Sequence, residues 1–248
     1  MASEYRTLFD ARGERYNRAN RLFPQARAEE ARMLLSRLDL APGARWLDVG
    51  AGGGFLAEQA AASAPGEAVG CDESAVFLGS AGVYALRTVA DYLRLPFPAD
   101  SFDGAASLAA LHHAAEPEAV LAEMLRVVRP AGRVALADVA RGSRAAAFLN
   151  EFVDAHTDTG HRGRFYSDGE WAGSLRNAGG RAARASSETL HWRFESRDAA
   201  ARFCRELFGL VDETPDRELD GALEALGLHE ARDGWLLPWD MVFASAEA

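Results

Sequence analysis

Trp46-Leu47-Asp48-Val49-Gly50-Ala51-Gly52-Gly53-Gly54-Phe55 sets an apolar run ending in a carboxylate directly against a cluster of glycines, and a helix-like stretch from Leu56 to Ala62 follows. A buried parallel strand, a tight turn and a helix N-terminus produce that order. Glycine lets the backbone approach a ligand closely and take φ values that other residues avoid. The turn falls at the carboxyl end of a strand, where open α/β sheets bind their ligands. The stretch therefore predicts a cofactor cradle, and three glycine patterns compete for it. A phosphate-gripping P-loop needs Gly-x-x-x-x-Gly-Lys-Ser/Thr, but the chain has no lysine, all 27 of its basic residues being arginine. A dinucleotide fingerprint needs G-x-G-x-x-G. Counted from Gly50, its last glycine falls on Phe55; counted from Gly52, it falls on Ala57 and the strand ends too early. The third pattern, Asp-x-Gly-x-Gly-x-Gly, is met by Asp48, Gly50, Gly52 and Gly54. For the loop alone, a purely structural glycine turn is the alternative.

The downstream spacing shifts that balance. Ala68-Val69-Gly70-Cys71-Asp72 reads as a second buried strand ending in a carboxylate, 18 residues beyond Gly54. That is near the offset at which an acid grips a ribose diol, since its two oxygens accept from two adjacent hydroxyls. Tyr84 to Tyr92 reads as a third strand ending in Asp91, and Ala105 to Leu108 lead into a fourth. Leu111-His112-His113, Pro117, the run Leu121 to Arg133 and a fifth strand, Val134 to Val139, complete the series.

On these motifs the sequence resembles the class I S-adenosylmethionine-dependent methyltransferases, strongly over Leu38 to Val139. The nearest subgroup is the small-molecule enzymes of the quinone- and biotin-pathway type (methyltransferase type 11). The resemblance implies an α/β fold: a doubly wound, seven-stranded, mostly parallel Rossmann-like sheet with its last strand antiparallel, plus helical lid elements. It implies S-adenosylmethionine as cofactor, with Asp48, Gly50, Ala51, Gly52 and Gly54 at the methionine end. Asp72 belongs at the ribose, Asp91 and Tyr92 at the adenine, and Ser107 and Leu108 beside the methyl group, with Glu73 a further cofactor-binding residue. The segment Leu95 to Gly104 belongs near the adenine. Gly53 stands where the subgroup often carries Thr or Ser, so a hydroxyl contact at the methionine end is missing. Asp48 and Asp72 can also serve as helix N-caps.

Composition narrows the function. With 248 residues, 48% of them hydrophobic, the chain can bury a sizeable core. A net charge of −10 repels a phosphate backbone, so nucleic acid is not an expected partner. Cys71 and Cys204 lack zinc or disulfide spacing. No H-E-x-x-H, G-x-S-x-G or His/Cys/Asp cluster with ligand spacing occurs, so no metal is expected. The polar Met1 to Asp10 stretch and the lack of an 18-residue apolar run predict a cytoplasmic protein with no membrane segment. A homodimer stays open.

The chain reads as one methyltransferase domain, 1–248. It divides into an N-terminal helical cap (1–40), a cofactor-binding core (41–140) and a C-terminal part (141–248) with a substrate lid at about 195–230. Helices are expected over Glu4–Arg21, Glu29–Leu40, Ser143–Ala155, Trp171–Ala178, from Ser196, and from Thr214 to Leu226. Strands are expected over Arg181–Phe194 and Trp235–Ala244, and Ser167 with Glu170 fits a capping box. The lid aromatics Trp192, Phe194, Phe203 and Phe208 point to an apolar or aromatic acceptor. His112 and His113 are the candidate catalytic residues, with His156 as a further base. Tyr16, His161, Arg164, Tyr166 and Phe203 are the candidate substrate residues, with Arg162 in the same loop and Arg21 near the cofactor carboxylate. The expected reaction is in-line methyl transfer to an O, N or C nucleophile of a small molecule. The alternatives are an enzyme that uses the cofactor for another reaction, such as a cyclisation, and a non-catalytic adaptor.

Overall fold

Trp46, Leu47, Asp48 and Val49 are all buried in strand β1 (Arg45–Val49), as expected of a parallel strand covered by helices on both faces. β1 pairs in parallel with β2 (Glu67–Asp72) on one side and β4 (Phe102–Leu108) on the other. β3 (Leu86–Val89) continues the sheet beyond β2, and β5 (Val128–Val139) continues it beyond β4. β8 (Gly234–Glu247) runs antiparallel to β5, and β6 (Arg181–Phe194) antiparallel to β8. The order is β3-β2-β1-β4-β5-β8-β6, with β7 (His229–Ala231) pairing to the start of β8. The computed structural model describes residues 4–63, 66–79, 82–161 and 163–248.

Two departures from the expected sheet have local causes. β7 is an eighth strand, folded onto β8 through a two-residue turn, Arg232-Asp233, with Gly234 at positive φ opening β8. β5 begins earlier than the apolar run Val134–Val139, because a register shift lets it pair with β4 from Val128 onward. The strand order reverses direction between β1 and β4, which opens a crevice at their carboxyl ends.

Helix α1 (Glu4–Leu22) lies over that crevice with Tyr5, Leu8 and Phe9 buried. α2 (Ala28–Leu38) leads into β1, and α3 (Phe55–Ser63), the short α4 (Ala75–Leu78) and α5 (Pro117–Val127) belong to the crossovers of the parallel strands. The expected helix at Ser143 is two pieces: α6 (Arg144–Ala147), capped by Ser143, and a π-helical stretch, Phe148–Val153. α7 (Asp168–Asn177) starts at the full Ser167–Glu170 capping box. α8 (Arg197–Phe208) and α9 (Asp216–Leu226) fill the connection between β6 and β7. Arginines from α1 tie it to α8: Arg15 and Arg18 both reach Glu206, and Arg15 also donates to the Leu210 carbonyl at 2.9 Å. Among the described residues no helix is long and apolar enough to cross a membrane.

Candidate functional site

The glycine turn is built so that only glycine fits at its two working positions. Gly50 and Gly52 hold φ of +79° and +46°, in the left-handed region that side chains disfavour. A Cβ on Gly50 would run into Ala110, and one on Gly52 would lie 2.6 Å from the Phe77 ring. The turn is pinned to β2, with the Gly50 and Ala51 amides donating to the Cys71 carbonyl at 2.9 and 3.1 Å.

Two carboxylates flank it from neighbouring strand ends. Asp48, 1% exposed at the end of β1, accepts a 2.7 Å hydrogen bond from the Tyr84 hydroxyl. Burial pushes its pKa up to about 7, with Tyr84 working against the shift and the charge of Asp72 adding to it. Asp72, fully buried at the end of β2, accepts from Gly52 N and the Tyr5 hydroxyl on one oxygen (2.9 and 3.0 Å) and from Ser74 N on the other (2.9 Å). Burial raises it to about 6, the three donors partly offsetting the effect.

These shifts have a sign in stability. In the unfolded chain both acids ionise near 3.8, whereas in the fold they hold their protons to about pH 7 and 6. Folding is therefore favoured below about pH 4, and that contribution is lost as pH rises through the folded values. Asp48→Asn is expected to remove its share. Urea unfolding should show the wild type losing stability relative to the variant between pH 4.5 and 7.5, and a constant difference would disprove the raised value.

Side chains of α1 and α4 fill the space before the turn. Phe9 stacks on Phe77 with centroids 4.6 Å apart, and Asn17 Nδ2 donates to the Phe77 carbonyl at 2.9 Å. The cavity left beside the turn is about 30 Å³, the volume of about one water. A pocket for a drug-sized ligand holds about 300–1,000 Å³, so with α1 in this position the cavity is narrower than a nucleoside needs. The residues fit such a group. Asn20 Oδ1, in this cavity, and Ser107 Oγ, 3.9 Å from where a Gly50 Cβ would stand, are both buried with no hydrogen-bond partner among the described residues. Buried polar atoms are rarely left bare, and two beside one crevice mark where a polar ligand is received.

A second cavity of about 50 Å³ adjoins the first, sharing Phe9, Tyr16, Arg27 and Ala109 with it. Three histidines face it. His112 Nδ1 lies 2.7 Å from Asp138 Oδ1, and its backbone N–H donates to Asp138 Oδ2 at 2.9 Å. His161 Nδ1 lies 3.2 Å from Asn150 Oδ1, in the π-helical stretch. His113 and His161 are held well below the usual histidine range, by burial first, then by His112 and by Arg12. Their apolar surroundings are Trp192 and Trp239, stacked at 4.0 Å, with Phe208 and Leu149. Arg27 borders both cavities, paired with the fully buried Glu30.

Asp48, Gly50, Ala51, Gly52 and Leu108 line the first cavity, and Tyr16 lines both. Asp72 and Ser107 lie just behind, and Gly54 closes the turn by donating to the Ala51 carbonyl at 3.0 Å. Tyr92 is buried against Tyr5, its hydroxyl 3.4 Å from the Glu73 amide, and the exposed Asp91 accepts from Leu93 N. Three expected substrate residues stand elsewhere. Arg164 is exposed, over the Tyr166 ring at 5.0 Å. Tyr166 bridges to Ala140 and packs on Trp171 at 4.7 Å. Phe203 is sealed between Phe23, Trp192 and Phe194. His156 is turned to Glu218, outside both cavities. Arg162 lies outside the described residues. Arg21 is exposed; the arginine at the crevice is Arg27. Tyr5, Arg12, Asn20, Arg27 and Asp138 are the site residues that sequence reasoning missed. Asn17 and Asn20, three apart on a helix, were the one available signal.

Residues 47–136 match the family described as Methyltransferase domain. Demethylmenaquinone methyltransferase of Corynebacterium urealyticum is 36% identical over 141 residues, covering 54% of this chain and 59% of that protein. Methyltransferase GfsG of Streptomyces halstedii is 34% identical over 127 residues, 47% of this chain and 46% of that one. The chain spans about half the length of the curated relatives it matches. Among solved structures, Haemonchus contortus phosphoethanolamine N-methyltransferase 2, in complex with S-adenosyl-L-methionine, aligns with a TM-score of 0.67 and 18% identity, over 98% of this chain and 59% of that one. That likeness speaks to the fold alone. Over residues 47–136 the chain thus carries the sequence pattern of the methyltransferase domain, on a fold shared with a solved S-adenosyl-L-methionine-bound methyltransferase.

Proposed function

We propose that the chain binds S-adenosylmethionine at the glycine turn and transfers its methyl group to a small molecule held over His112, His113 and His161. The observation that carries this reading is the Tyr5 hydroxyl on Asp72: the buried carboxylate already takes a hydroxyl from the crevice side, as it would take those of a ribose. In this reading Asp48 and Asn20 receive the methionine end, and Glu73, Asp91 and Tyr92 the adenine. When bound, the cofactor supplies a methyl group activated by the positive charge of its sulfur. The chain's part is to align the nucleophile with that group and to keep water out. The buried aromatic wall of Trp192, Trp239 and Phe208 suits an apolar acceptor. His112 takes the acceptor's proton on Nε2. Asp138 holds the ring with Nδ1 protonated, which leaves Nε2 as the free base.

Calorimetry with S-adenosylmethionine tests the reading. Wild-type protein is expected to bind it, and Asp72→Ala to bind it about 1–3 kcal/mol more weakly, the cost of a lost charged hydrogen bond. No heat with the wild type, or equal affinity in the variant, would remove the crevice from the reaction. Accumulation of S-adenosylhomocysteine with a methylated acceptor separates methyl transfer from use of the cofactor as a scaffold.

A further inference from the structure

Arg12 lines the acceptor cavity and is 8% exposed. Its hydrogen bond runs from Nη1 to the Phe208 carbonyl, at 3.2 Å. The neighbouring arginines have acids: Arg15 and Arg18 share Glu206, and Arg27 holds Glu30. Among the described residues, Arg12 has no carboxylate within 4.0 Å. Its compensation is the carboxyl end of α8, whose dipole amounts to a fraction of a charge, and the face of Phe9 at 5.8 Å. Burial lowers the guanidinium to about 10, so it stays charged at neutral pH. An uncompensated buried charge is costly unless something pairs with it.

The surroundings say what that partner is. The ring nitrogens of His112, His113 and His161 come within 4.8 Å of one another, a grouping that a metal ion also uses. After burial and the neighbouring imidazoles, the charge of Arg12 adds to what opposes protonation of His113 and His161, and the same charge opposes a metal cation. It attracts an anion. Neutral imidazoles beside it add hydrogen-bonding capacity and no competing negative charge.

We propose that Arg12 is a specificity residue: the molecule seated in the acceptor cavity carries a single anionic group of carboxylate size on an apolar or aromatic body, and that group pairs with Arg12. This rests on reading the cavity as the acceptor site.

Benzoate and benzamide, alike in shape and different in charge, are the probes, with binding followed by calorimetry and by the fluorescence of Trp192 and Trp239. Wild-type protein is expected to bind benzoate at least about tenfold more tightly than benzamide, the range of one charged hydrogen bond. Arg12→Gln should bring the ratio to about one, and Arg12→Lys should keep a preference for benzoate. Equal binding of the two probes, binding of neither, or a preference that survives in Arg12→Gln overturns the proposal. Should Arg12→Gln fail to fold, the wild-type ratio and Arg12→Lys decide. S-adenosylmethionine binding, measured alongside, separates the two readings: with the cofactor bound and the benzoate preference absent, this inference alone fails.

Discussion

Glu30→Ala is expected to destabilise the protein by about 3–5 kcal/mol, the range for breaking a buried ion pair from one side. Arg27 is 3% exposed and Glu30 0%, and the carboxylate also accepts from the Trp192 indole at 3.0 Å. Burial by itself would weaken the Arg27 guanidinium's hold on its proton, but Glu30 more than reverses that, with Tyr16 adding to it. Take Glu30 away and a cation stays between the rings of Tyr16, Phe55 and Trp192 without its counter-charge. The thermal midpoint should fall by about 6–20 °C, at 2–4 °C per kcal/mol for a chain of this size. Urea unfolding at neutral pH checks it, and a loss under about 1 kcal/mol would mean that water reaches the guanidinium. Glu30→Ala combined with Arg27→Met should regain much of the stability, because an apolar replacement of the whole pair leaves no bare charge. The position is sensitive for a second reason: Arg27 borders both cavities, so loosening it disturbs the walls of both.

Asp138→Asn should reduce kcat by about 10²–10⁴-fold, the share usually carried by proton transfer through a positioned base, with S-adenosylmethionine affinity unchanged. Asp138 accepts from the His112 ring, the His112 amide at 2.9 Å and the Val139 amide at 2.8 Å. An amide has one acceptor oxygen where the carboxylate has two. The variant therefore loses hold of the ring and admits the tautomer in which Nε2 carries the proton. In the proposed reaction Asp138 acts as a positioning residue, and the test has to tell it from a merely structural one. Single-turnover formation of S-adenosylhomocysteine should fall while acceptor KM holds. His112→Gln should give a loss of similar size, and the double variant no further loss, as groups that act as one unit behave. Additive losses would separate the two residues, and an unchanged rate would retire the pair.

What could be read from the chain alone follows distance along it. The glycine turn, the acids at Asp48 and Asp72 and the Ser167 capping box are local patterns, each spanning a turn or a strand–turn–helix unit, and each lies where its spacing indicates. The histidine cluster is not local. His161 reaches His112 only because Arg164 N donates to the His112 carbonyl and Asn150 holds the loop through Gly163. No ligand-spacing rule along the chain sees that. The errors in the polar loop have one origin: the side on which Tyr166 and Arg164 emerge is fixed by the bridge to Ala140, a long-range contact. Arg27 is not legible because the Phe23–Ala26 turns that bury it lie past the end of the helical pattern. The lid aromatics divide for a similar reason. Trp192 faces the cavity from a strand, while Phe203 on α8 is consumed in packing.

Tyr5 and Arg12 ride on the same helix, one seated on the acid meant for the nucleoside, the other at the wall of the neighbouring chamber. One length of helix thus walls both chambers, so a substitution that shifts it is felt in each.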